Sequence, residues 1–111
     1  MAKDNKTTTT FATRLKQARL RAGFSQMQLG VLAGIDEFSA SARVNQYERG
    51  VHSPDHGTAE RLAEVLDVPV SFLFETNDKI ANLIMAVGQL TSNQQEQLAS
   101  MIIEGMEFGQ F

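Results

Sequence analysis

The chain has 111 residues, an apolar fraction of 42%, a formal net charge of −3 and no cysteine. That length gives one domain with a modest core and room for a small appendage, and the lack of thiols excludes disulfides and thiolate metal sites. No apolar run approaches the ~20 residues of a membrane span, and the opening "MAKDNKTTTT" lacks the apolar segment of a secretory signal, so the expected location is cytoplasmic.

Residues 1–8 are polar and Thr-rich and read as a disordered tail. Thr9 or Thr10 can cap a first helix reaching to about Ala22, with Phe11, Leu15, Ala18 and Ala22 at helical spacing, Leu20 flanking them, and Gly23 as its left-handed stop. Ser25 caps a second helix, with Gln28 as capping-box partner; Leu29, Leu32 and Ala33 form its buried side and Gly34 ends it. A third helix, capped by Ser39 and ended by Gly50, carries Val44 and Tyr47 three apart on one side. Pro54 and Asp55 open a fourth, from about His56 to Leu66, with Ala59, Leu62, Ala63 and Leu66 inward. "DVPVSFLF" reads as a short fifth helix with Pro69 at its start and Phe72 and Leu73 in the core. No strand is expected.

Two further amphipathic segments follow "ETND". Ile80, Leu83, Ile84 and Val87 recur at i, i+3, i+4 and i+7; after a cap at Thr91 or Ser92, Leu98, Met101, Ile102 and Met106 share a side. Five helices already close a small core, so these stripes need another surface to cover. The expectation is an antiparallel hairpin that buries a subunit or partner interface, against the alternative that both helices simply pack on the preceding domain. The division is then a tail at 1–8, a domain at 9–75 and a dimerisation or partner segment at 76–111.

Charge follows the same division. Residues 1–61 hold nine Lys or Arg against six acids, or +3, and residues 62–111 hold one Lys against seven acids, or −6. A basic working part and an acidic partner part fit this asymmetry, with chance scatter as the competing reading. The stretch "SARVNQYERGVHSP" carries Ser41, Arg43, Asn45, Gln46 and Arg49 on the side away from Val44 and Tyr47. A merely solvated face is usually Lys- and Glu-rich. These side chains instead offer hydrogen bonds in fixed geometry: Arg reads guanine by two bonds, Asn and Gln read adenine by two, and Ser serves either base. Two helices joined by a tight connection, the second short and polar outside, make a helix-turn-helix, whose second helix enters the major groove.

"RLKQARLRAGFSQMQLGVLAG", "VNQYERGVHSP" and "TAERLAEVLDVPVSFLF" resemble the Cro/phage-repressor (XRE) type of helix-turn-helix regulator over residues 11–74. The resemblance implies an all-α, five-helix lambda-repressor-like domain, here with a C-terminal helical hairpin, that works as a homodimer on a near-palindromic operator. It implies base contacts from Ser41, Ala42, Arg43 and Gln46, with Asn45 as a further candidate. Phosphate contacts fall on Gln26, at the second helix's start, and on Arg49, His52 and Ser53. It also implies a structural ion pair between Arg19 and Glu48.

One departure from the family stands out. Between the second and third helices, "DEFS" is an apparent insertion of four residues. Asp36 and Glu37 would repel a nearby phosphate backbone. Either the loop folds away with Phe38 in the core, or the acids cap the third helix, whose dipole favours negative charge there.

Other chemistry is set aside. His52, Asp55 and His56 offer three metal-ligand side chains in five residues, but Asp55 serves as a helix cap and no fourth ligand is near in sequence. A set of His52, Ser53 and Asp55 is too local to converge as a triad. Met85, Met101 and Met106 are apolar filling at helical spacing. No enzyme, metal or cofactor is implied. The expectation is a bacterial or phage-encoded, nucleoid-associated regulator, a repressor whose partners are double-stranded DNA and a second copy of itself, with no membrane. Two alternatives remain open: an antitoxin or restriction-modification controller that also binds a protein through its C-terminal segment, and an interaction adaptor without DNA binding.

Overall fold

A computed structural model describes residues 9–111; the tail expected at 1–8 lies outside the described residues. Helices α1 (Thr10–Ala22), α2 (Gln26–Leu32), α3 (Glu37–Glu48) and α4 (His56–Leu66) are followed by a 3-10 helix (Val70–Phe74), then α5 (Asp78–Gly88) and α6 (Ser92–Glu107). The described residues contain no strand, and the all-α expectation holds.

Local chemistry explains the boundaries. The Ala12 N–H donates to the Thr9 hydroxyl (3.0 Å), and α1 stops at Gly23, whose φ of 82° suits a residue without a Cβ and whose N–H returns to the Arg19 and Leu20 carbonyls. Ser25 and Gln28 form the expected reciprocal box on α2. Asp55 caps α4 by accepting from the Thr58 N–H (2.8 Å); this bond holds its carboxyl below the ordinary range. A depressed carboxyl stabilises the fold above its unfolded value and loses that contribution as pH falls through the folded one.

The start of α3 differs from the expectation. Asp36, not Ser39, is the cap: its carboxylate accepts from the Phe38 N–H (3.0 Å), and the apparent insertion becomes the first turn of α3. Of the two accounts of that insertion, capping by the acid is correct. Phe38 does not enter the core and is 91% exposed.

The first five helices, the 3-10 helix included, close one core, and each contributes one of the five largest fully buried side chains: Leu15, Leu29, Val44, Leu62 and Leu73. Leu32 and Ala22 do not join them; both are exposed, Leu32 beside Met27 and Val31 on the outer side of α2. Two buried or anchored arginines tie the layers. Arg14 donates from Nε and Nη2 to the Glu75 carbonyl (3.0 and 2.7 Å), meets Asp78 at 3.0 Å, and lies over the Phe72 ring. Arg61 of α4 donates to the Ala33 carbonyl at the end of α2 (2.9 Å), where the helix dipole favours a cation.

The C-terminal segment behaves in two ways. Helix α5 lays Ala81 and Met85 onto the core and presses Gly88 against Pro69, where an added Cβ would stand 2.7 Å from the ring. Its outer stripe stays open: Ile80 and Leu83 are exposed, Ile84 and Val87 half-buried. Helix α6 does not fold back along α5, so the expected antiparallel hairpin is not closed within one chain. The inner side of α5 is already used by the core, and α6 meets its neighbour near its own start, where the Gln95 amide donates to the Val87 carbonyl (2.9 Å). Its buried residue is Gly105, covered by the Phe111 ring of the returning tail. The radius of gyration, 16.5 Å, exceeds the roughly 13 Å of a compact chain this long, as a projecting helix requires.

The α2–α3 corner depends on one missing side chain. A Cβ on Gly30 would lie 2.7 Å from the Ala40 Cβ and 3.0 Å from the Ala40 carbonyl oxygen. Gly30→Val should therefore spread the two helices and cost about 1–3 kcal/mol, read as a lower thermal midpoint by circular dichroism. An unchanged midpoint contradicts this close approach.

Candidate nucleic-acid interface

Helical spacing divides α3 into two sides. Ala40, Val44, Tyr47 and Glu48 are buried and face the core. Opposite them run Phe38, Ala42, Asn45 and Arg49, at i, i+4, i+7 and i+11, flanked by Ser41, Gln46 and Arg43. Ser41, Ala42, Arg43 and Arg49 are exposed, and Asn45 and Gln46 half-buried. The structure thus collects all five expected base-reading residues on the accessible part of one helix.

The orientation of that helix is set by a buried charge pair. Arg19 of α1 donates from Nε to Glu48 Oε2 (2.5 Å) and from Nη2 to Oε1 (3.0 Å), a two-point contact, while its Nη1 donates to the Phe24 carbonyl (2.9 Å). Arg19 and Glu48 are 9% and 8% exposed. A bidentate Arg–carboxylate contact fixes direction as well as distance, so the last turn of α3 cannot roll relative to α1 without stranding both charges.

Gln26 extends this network. Its side-chain amide donates to Glu48 Oε1 (3.1 Å) and to Asn45 Oδ1 (3.2 Å). Asn45 is thereby held by its acceptor end, which leaves its own amide hydrogens for a ligand. The residue expected at a phosphate is thus joined in the chain alone to one expected at a base. Beyond α3, Gly50 adopts φ 74°, and the Gln46 carbonyl accepts from the Val51 and His52 N–H groups (3.0 and 3.4 Å). Arg49, His52 and Ser53 lie exposed along this turn, beside the outward stripe. Among the described residues no acidic side chain pairs with Arg43 or Arg49. The His52, Asp55 and His56 group is engaged elsewhere: Asp55 caps α4 and His56 meets Glu60 at 3.3 Å.

The helix-turn-helix domain family matches residues 10–71, more than half of the chain. This chain belongs to that family. Over 84% of its length and 92% of the other chain, this helix-turn-helix protein is similar, at 54% identity and a TM-score of 0.77, to the crystal structure of transcriptional regulator BswR. Curated proteins give no match. The resemblance to the XRE type therefore holds.

Sequence reasoning missed Phe38 on the outward stripe and the Arg14 anchor. Phe38 could have been placed by taking Asp36 as the cap, which sets Phe38 and Ala42 one turn apart. Arg14 carries no comparable signal, because its partner is a backbone carbonyl 61 residues away.

Removing one member of the central pair leaves the other buried and uncompensated. Glu48→Ala should lower unfolding free energy by about 3–5 kcal/mol, measured by urea denaturation. A loss under about 1 kcal/mol, the range of exposed pairs, contradicts the fixing role of this contact.

Proposed function

We propose that this protein is a sequence-specific transcriptional repressor that binds a near-palindromic operator as a homodimer, with α3 of each subunit in a major groove. The supporting observation is the outward side of α3: base-reading side chains exposed together, on a helix locked at its far end by Arg19 and Glu48. Arg43, Asn45 and Gln46, with Ser41 and Ala42, read base edges. Arg49, His52, Ser53 and Gln26 take phosphates, which position the protein without reading sequence. Occupancy of a promoter excludes polymerase. That BswR is a transcriptional regulator supports the same reading.

Selection of bound duplexes from a random pool tests it: the expected product is a palindromic consensus with half-sites one helical turn apart, roughly 34–36 Å. On that consensus Gln46→Ala should cost about 1–3 kcal/mol and relax preference at one position, while Arg49→Ala should weaken all sequences alike and reduce the salt slope by about 1. Equal losses on consensus and random DNA for Gln46→Ala contradict base reading.

The dimer is assigned to the C-terminal segment. Ile80, Leu83, Met101, Ile102 and Met106 are exposed in the single chain, Leu83 at 63% and Met106 at 67%, with Ile84, Val87 and Leu98 half-buried beside them. Apolar surface of this extent marks an interface, and a projecting α6 can reach a second copy. Ile102→Asp should convert a dimer to a monomer by light scattering without altering helix content. A dimer that survives this change, or a wild-type protein that is monomeric until a different protein is co-expressed, favours the alternative of a heterologous partner on the same stripe.

A further inference from the structure

Phe38 is the exposed large apolar side chain of α3, and it stands on the outward stripe one turn before Ala42. Its backbone is held, because its N–H donates to Asp36, while its ring touches solvent over nearly its whole surface. Its neighbours on the first turn are polar or small: Glu37, Ser39, Ser41 and Ala42. A protein-binding patch is built from contiguous apolar groups, as on α5 and α6, whereas a single ring among polar neighbours suits an apolar target of one group.

The major groove offers one such target. Its base edges are read mainly through hydrogen-bond donors and acceptors; the C5-methyl of thymine is the apolar group that projects into it, and Phe and Ala are side chains that contact it. The N-terminal residues of a recognition helix are those that reach base edges, and Phe38 is the second residue of α3. We propose that Phe38, seconded by Ala42, is a specificity-determining residue that contacts the methyl group of a thymine near the N-terminal end of α3. This rests on the proposed operator binding and adds a position that the polar residues of α3 do not read. Asp36 is engaged as the cap, and Glu37 lies a quarter-turn or more round the helix from Phe38, so neither occupies the same target.

The test uses the full chain and the consensus selected from the random pool, with each thymine replaced singly by deoxyuridine, which removes the methyl and nothing else. The expected result is one thymine per half-site whose replacement weakens wild-type binding about fourfold, the equivalent of one buried methyl. Phe38→Ala should be insensitive to that replacement, Phe38→Leu should retain part of the sensitivity, and both should melt like the wild type. If no thymine discriminates between wild type and Phe38→Ala, or if Phe38→Ala changes the protein's mass in solution instead, the assignment is overturned while operator binding stands. A pool that yields no consensus overturns both.

Discussion

The two-point contact between Arg19 and Glu48 governs how the rest of the surface can act. It joins the first helix to the last turn of the third in a nearly water-free setting, and it recruits Gln26 and, through Gln26, Asn45. Buried charges of this kind add little net stability compared with apolar packing, but they penalise every arrangement in which they separate. Direction is what a recognition helix needs, since a roll of one residue, about 100°, would turn its outward stripe toward a groove wall. At the other end of α3 the constraint is steric: Gly30 admits Ala40 so closely that no side chain fits between them. Charge pins one end and contact the other.

The chain divides its apolar surface between two tasks. Five helices and the inner side of α5 make a core in which every helix contributes a completely buried residue. The outer side of α5 and most of α6 remain uncovered, and α6 projects rather than doubling back. Exposed polar side chains on α3 and exposed apolar ones on α5 and α6 therefore belong to different elements of the fold. In the proposed dimer the second set determines how far apart two copies of the first are held.

Much of this was legible in the residues. The caps at Thr9, Ser25, Asp55 and Thr91 and the inward positions of α4 follow from short-range rules that tertiary structure did not override. The Arg19–Glu48 pair was reached through family resemblance; nothing in local spacing joins residues 29 apart. The start of α3 was misplaced because Ser39 and Asp36 are both good caps, and the choice between them rests on how the α2–α3 corner closes. Periodicity places Leu32 inward, but the buried side of α2 runs through Leu29, Gly30 and Ala33, and Leu32 falls off it. The hairpin failed for a different reason: amphipathic stripes report that a surface is to be covered and carry no information on whether the cover is the same chain.

The central claim is that the outward side of α3 meets base edges in the major groove. Dimethyl sulfate interference on the selected operator tests it most directly, because methylation at guanine N7 lies in the major groove and at adenine N3 in the minor groove. The account predicts interference at guanine N7 in two patches about one helical turn apart, with adenine N3 methylation tolerated at the A·T pairs within those patches. Interference confined to adenine N3, or absent from both grooves while binding persists, would contradict it.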